Sequence, residues 1–110
     1  MYKVDFNKPM HVHFIGIGGI SMSGLAEILL QEGFTVSGSD MKESEITEIL
    51  RNLGATIYIG QTAENITDDI DLVVYTAAIH QNNPEFVEVT RRDIPMLTRA
   101  QLLGQIMLNY

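Results

Sequence analysis

The chain alternates short β-branched apolar runs with stretches whose apolar positions recur every three or four residues. Residues 11–15, His-Val-His-Phe-Ile, read as a buried first strand. Beyond them Met22, Leu25, Ala26, Leu29 and Leu30 fall on one stripe, as on a helix packed against a sheet. Gly33 is placed to stop that helix. Residues 34–40 read as a second strand ending at Asp40. Ile46, Ile49, Leu50 and Leu53 mark a second helix, with Gly54 closing it. Glu43 and Glu45 lie near its start, where the helix dipole favours acids, and Arg51 lies near its end on a solvated face. Residues 56–59 predict a third strand that stops at Gly60, and 61–66 a short helical turn. Residues 71–76 are almost continuously apolar, which predicts a fourth strand buried on both faces. After a polar loop at 80–83, Pro84 suits the first turn of a helix reaching about Arg92. Residues 94–97 predict a short fifth strand, at a sheet edge because of Pro95. Thr98 and Gln101 fit a capping box, and Leu102, Leu103, Ile106 and Met107 supply the apolar face of a last helix.

Strands alternating with helices predict an α/β fold. We expect one Rossmann-like domain over 1–110: a doubly wound parallel sheet of five strands in the order 3-2-1-4-5, with helices on both faces. Residues 1–9 read as a short arm without a signal-peptide core, and no apolar run approaches membrane-spanning length.

The chemistry is expected at the first strand-to-helix joint, where Gly16, Gly18 and Gly19 cluster. Glycine permits a sharp turn and lets a ligand approach the backbone. The helix that follows begins with free N–H groups and a partial positive charge, which together favour a phosphate. Ser21 and Ser23 add hydroxyls to that first turn. The spacing departs from the dinucleotide fingerprint Gly-x-Gly-x-x-Gly, because Ser21 holds the third position and Gly24 lies three residues further on. Asp40 falls 24 positions after Gly16, at a strand end where an acid can accept from ribose hydroxyls; a turn or helix-cap role is the alternative. Thr76, Ala77, Ala78 and Ile79 follow the fourth strand and leave room for a ligand, and His80 stands in the adjoining loop as a contact residue.

Composition narrows the choice. A net charge of -7 with only 7 Lys+Arg disfavours nucleic acid and anionic membranes. None of those cations lies between His13 and Gly24, so backbone N–H groups would carry most of any phosphate binding. The absence of cysteine excludes disulfides and thiolate metal sites, and a cytoplasmic protein is the expected reading. His11 and His13 are expected on opposite faces of the first strand, His13 near the loop and His11 peripheral, with no third ligand for a metal. Asp68 and Asp69 read as a solvated turn. No Gly-x-x-x-x-Gly-Lys-Ser/Thr loop and no catalytic set is present.

Several stretches together resemble the N-terminal domain of the Mur ligase family: residues 13–24, residues 36–40, residues 73–79, Asn83-Pro84-Glu85, and residues 99–103. The resemblance runs from about His11 onward, and its Gly-Gly-x-x-Met-Ser extension is not a general dinucleotide feature. It implies a role in cell-wall peptidoglycan synthesis. There, ATP phosphorylates the lactyl carboxylate of UDP-N-acetylmuramic acid, and the amine of L-alanine attacks the acyl phosphate. It also implies three domains, of which the first holds the UDP part of the substrate, the second ATP and Mg²⁺, and the third the amino acid. This chain resembles only the first, so it is expected to bind without catalysing, to hold no cofactor itself, and to work with the other two domains. By the same resemblance Gly18, Gly19, Ser21, Met22 and Ser23 face the diphosphate, and Gly16 is a further UDP-sugar-binding residue. Ser39 and Asp40 lie near the ribose, and Thr76, Ala77, Ala78, Ile79, His80 and Asn83 line the pocket. Two positions depart from the family, with Ser21 where glycine is frequent and Gln61 where histidine is frequent. A ligase that adds a preformed peptide to the same UDP-sugar, an NAD(H)-binding dehydrogenase or regulatory domain, and a domain with a vestigial site remain as alternatives.

Overall fold

Strand β1 (His11–Ile15) lies at the centre of a five-stranded sheet, and the computed structural model describes the whole of Met1–Tyr110 around it. Its neighbours are β2 (Thr35–Asp40) on one side and β4 (Leu72–Tyr75) on the other. Beyond these lie β3 (Thr56–Ile59) and β5 (Met96–Thr98), giving the expected order β3-β2-β1-β4-β5 with every pairing parallel. The chain leaves β1 toward β2 and later returns to its other side at β4. The carboxyl ends of β1 and β4 therefore form the switch point where open α/β sheets place ligands.

The helices are α1 (Ile20–Gln31), α2 (Glu45–Asn52), α3 (Pro84–Arg91) and α4 (Arg99–Asn109), with a 3-10 turn at Ala63–Asn65. One face of the sheet packs the larger core. Val12, Phe14, Val36, Leu72 and Val74 meet Leu25 and Leu29 of α1, Leu50 of α2, and Leu102 and Ile106 of α4. On the other face Ile15 and Val73 meet Ile66, Ile70 and Val89, beneath α3 and the 3-10 turn. Leucines and β-branched residues make up most of the larger core and β-branched residues the smaller one, and this apolar burial is the main source of stability.

Local chemistry sets the element ends. Gly33, Gly54 and Gly60 take positive φ after α1, α2 and β3. Ser44 caps α2 in a reciprocal box with Thr47, a start signal that the apolar spacing does not reveal. Glu43 does not sit in the first turn. It reaches back along the helix to Arg51, which it pairs with at 3.1 Å. Thr98 ends β5 and caps α4 with Gln101, as expected from the sequence. Phe34 belongs to the turn after α1 rather than to β2, because its N–H donates to Leu29 O. Ile94 likewise donates to Val89 O, so β5 starts after Pro95, and it is the edge strand that Pro95 called for.

One expectation is corrected. His11 and His13 share a face of β1 instead of opposing each other. Strand side chains alternate with a period of two, so positions two apart point the same way. Both rings meet the hydroxyl of Ser37, at 2.7 and 2.8 Å, on the face covered by α3. No group of three metal-ligating side chains gathers there or elsewhere.

Candidate functional site

The glycine loop connects β1 to α1, and its own backbone groups hold it in place. Gly16 sits at φ 87°, where a side chain would be strained. The N–H groups of Gly16 and Ile17 both donate to Ser39 O, at 2.8 and 2.9 Å. Gly18 N–H donates to Asp40 Oδ2 at 2.9 Å, and Gly19 N–H to Gly16 O at 3.2 Å. The first four amides of the loop are thus committed to the protein. The next three, of Ile20, Ser21 and Met22, have no partner in the chain, and no side chain caps α1. They are the unpaired N–H groups of a helix start, without an acidic residue in the first turn to oppose an anion.

The side chains around this turn differ in what they offer. Ser21 is exposed. Met22 is buried in the core, so only its N–H faces outward chemistry. The Ser23 hydroxyl donates to Ile20 O at 2.8 Å and its N–H to Gly19 O, which leaves it no free donor. Gly18 is required by Asp40: a Cβ there would lie 2.7 Å from Asp40 Oδ2.

The second part of the site is an open cleft of about 240 Å³ at the carboxyl ends of β1 and β4. Gly16, Thr76, Ala78, Ile79, His80 and Asn83 line it, with Ile15 and Gln61. Ala77 is exposed nearby but is not in its wall. Two successive turns shape the wall, Ile79 N–H donating to Thr76 O and Asn83 N–H to His80 O. Asn83 has two tasks. Its Oδ1 caps α3 by accepting from the N–H groups of Glu85 and Phe86, and its Nδ2 donates to Gln61 Oε1 at 2.7 Å. Gln61, where the sequence departs from the resemblance, is therefore part of the wall. Ser39 is fully buried beneath the cleft, its hydroxyl donating to Glu85 Oε1.

Asn83→Ala is expected to lower stability by about 1 kcal/mol through loss of the cap, read by chemical denaturation. Asn83→Asp keeps the cap and loses only the donor to Gln61, so it should recover most of that loss; no recovery would show that the Gln61 bond carries the effect.

Periodicity alone did not single out Glu85, Asn65 or Ser37, which lie together under the cleft floor. The available signal was two serines, Ser37 and Ser39, two apart on one face of a central strand, where buried hydroxyls need partners.

The model of the family described as "Mur ligase family, catalytic domain" matches residues 11–110. The UDP-N-acetylmuramate–L-alanine ligase of Agathobacter rectalis is 68% identical over 110 residues, covering 100% of this chain and 24% of that protein. The chain thus spans about a quarter of the curated relatives it matches. The crystal structure of UDP-N-acetylmuramate-alanine ligase from Thermotoga maritima superposes with a TM-score of 0.86 at 37% identity, over 91% of this chain and 23% of that one. A murein peptide ligase from Psychrobacter arcticus superposes with a TM-score of 0.82 at 28% identity, over 87% and 20%. With the five-stranded order, the glycine joint and a family match over nearly every residue, the chain belongs to the Mur ligase family.

Proposed function

We propose that this chain is the UDP-binding part of an ATP-dependent ligase that joins L-alanine to UDP-N-acetylmuramic acid in bacterial cell-wall synthesis. The observation that carries the reading is the 68% identity, along the whole chain, to a protein named for that reaction. The geometry fits a nucleoside diphosphate. The unpaired N–H groups of Ile20, Ser21 and Met22 suit the diphosphate, and the exposed Ser21 hydroxyl supplies a further donor. Gly16, Gly18 and Gly19 let it approach the backbone, and Ser23 holds the turn in shape. Asp40, the partly exposed last residue of β2, accepts from the ribose, and the neighbouring Ser39 hydroxyl turns inward to Glu85. The cleft at Thr76, Ala78, Ile79, His80 and Asn83 receives the remainder of the nucleotide, with Ala77 at its rim.

This chain is expected to leave ATP and Mg²⁺ to the rest of the protein. It has no phosphate-binding Gly-x-x-x-x-Gly-Lys-Ser/Thr loop and no cluster of three metal-ligating side chains. We assign both to the three-quarters of the relatives that lie outside this match, together with the amino-acid site. In this reading the chain positions a substrate for chemistry done elsewhere in the same protein. No helix is long and apolar enough to cross a membrane. A cytoplasmic site of action follows from the proposed substrates.

A ligase adding a preformed peptide to the same UDP-sugar is the second reading, and the likeness to a murein peptide ligase favours it. The two differ in the amine and not in the nucleotide, so only the longer protein, assayed with L-alanine against a peptide, separates them.

The test of the binding role is an amide chemical-shift titration of this chain with UDP-N-acetylmuramic acid and, separately, NAD. Shifts at Gly18 to Ser23, Asp40 and Thr76 to Asn83 with the UDP-sugar alone are expected. Shifts with NAD alone would replace the reading with a dinucleotide-binding one.

A further inference from the structure

Beneath the cleft, on the sheet face covered by α3, lies a connected line of buried polar groups that the proposed binding role does not use. Glu85 stands at its end, with its side chain wholly buried. Its Oε1 accepts from His13 Nε2 at 2.6 Å and from Ser39 Oγ at 2.9 Å, and its Oε2 accepts from Asn65 Nδ2 at 2.9 Å. Asn65 gives a second hydrogen to Gly60 O. On the far side of the ring, His13 Nδ1 lies 2.8 Å from Ser37 Oγ, which lies 2.7 Å from His11 Nε2. His11 Nδ1 in turn faces Asp69 Oδ2 at 3.2 Å, off the line of a good hydrogen bond.

The donors and acceptors give this line a direction. A carboxylate only accepts, so His13 carries its hydrogen on Nε2. Its Nδ1 then accepts, and the single hydroxyl hydrogen of Ser37 goes to it. Ser37 is left to accept from His11 Nε2–H. His11 Nδ1 points toward Asp69, whose carboxyl is held below its usual range by the Thr67 hydroxyl and then by His11.

Glu85 also ties four parts of the fold together: β1 through His13, β2 through Ser39, the 3-10 turn through Asn65, and its own helix α3. Three of these parts run into the cleft wall, and β2 runs instead into Asp40, which fastens the glycine loop. Gly16 follows β1, Asp40 follows Ser39, Gln61 follows Gly60, and Asn83 caps the turn that holds Glu85.

We propose that Glu85 is a positioning residue: without touching the ligand it holds Gly16, Asp40, Gln61 and Asn83 in one geometry, and its acceptor character sets the tautomers of both His13 and His11. The effect on nucleotide affinity rests on the UDP-sugar reading above; the effect on the histidines and the wall does not.

Glu85→Gln tests it, because glutamine keeps the shape. Both Asn65 amide hydrogens are committed, so the glutamine oxygen must take the Oε2 place and its NH2 must face His13 and Ser39. His13 then accepts at Nε2 and carries its hydrogen on Nδ1. Ser37 turns to donate to His11, which gives up the hydrogen on Nε2. Imidazole ¹⁵N spectra of the free chain should show both changes, with the amide peaks of Gly16, Asp40 and Gln61 displaced. Affinity for UDP-N-acetylmuramic acid should fall about tenfold, the scale of one lost hydrogen bond. Glu88→Gln, on the same helix but ion-paired at the surface, should change none of these. If His13 keeps its Nε2 hydrogen in Glu85→Gln, the proposal fails. It also fails if the tautomers switch while the three amides stay in place. If the unaltered chain does not bind the UDP-sugar, the functional reading fails, and the free-chain spectra still decide the role of Glu85. Should Glu85→Gln not fold, Asn65→Ala cuts the tie to Gly60 while leaving Glu85 and His13 paired. The Gln61 amide should then move with His13 unchanged, and an unmoved Gln61 would overturn the positioning role.

Discussion

Replacing Gly38 by alanine is expected to destabilise the fold by about 3 kcal/mol, the upper end of what overpacking a core usually costs. Gly38 lies inside β2, paired with Phe14 on one side and Ile57 on the other. A Cβ added there would stand 2.5 Å from Ile17 Cδ1, 2.6 Å from its Cβ and 2.9 Å from its Cγ2. Ile17 is itself fully buried, and its N–H is tied to Ser39 O at 2.9 Å. It cannot swing away without pulling the glycine loop from the sheet. Trimming Ile17 to valine or alanine should not rescue Gly38→Ala, because the closest backbone-linked atom, Cβ, remains. Urea unfolding of the single and double variants checks this. A midpoint within a few tenths of the unaltered chain's, or full rescue by Ile17→Ala, would show that the loop yields more easily than its hydrogen bonds imply. Because the strain falls on the loop, nucleotide binding should weaken in the folded fraction as well.

The second large effect is expected at Asp40. Its carboxylate fastens the loop through Gly18 N–H, and its partial exposure leaves it able to accept from a ligand. Asp40→Ala should weaken UDP-N-acetylmuramic acid binding by roughly 1.5–3 kcal/mol, the range for a hydrogen bond to a charged group, or about ten- to a hundredfold in Kd. Asp40→Asn retains an acceptor for Gly18 and should lose less. Titration calorimetry on the three proteins separates the roles. Equal losses in both variants would mean that the charge matters more than the loop bond. No loss in either would reduce Asp40 to a turn residue, the alternative that its place at a strand end leaves open. Gly18 belongs to the same unit, since a side chain at that position would displace the carboxylate before it met any ligand.

The site was legible to different depths along the chain. The three glycines between a β-branched run and an amphipathic stripe pointed to the joint, and the structure forms the helix start with its unpaired amides there. The small residues after β4 pointed to the cleft, and Thr76, Ala78 and Ile79 line it. Which atoms remain free was not legible. Ser23 looks like a phosphate donor on paper, yet its hydroxyl turns back to Ile20 O, a common choice for a serine in a helix. Met22 stands both on the apolar helical stripe and in the glycine-loop motif, and the structure gives its side chain to the core. The shared face of His11 and His13 follows from the two-residue period of a strand, while their meeting at Ser37 comes from the register of β1 against β2.

The amino-acid order by itself determined the elements, their parallel alternation, the cap at Thr98, and the location of the joint. These rest on local backbone preference and on apolar periodicity, which act over a few residues. Only the tertiary structure decided the partners. Glu85 meets His13 across 72 positions of sequence, Ser39 across 46 and Asn65 across 20. A side chain at position 38 would collide with Ile17 only because β2 lies beside β1. A buried carboxylate must find donors wherever the packed layers bring them, and the sheet order and the fit of α3 against it determine which donors those are.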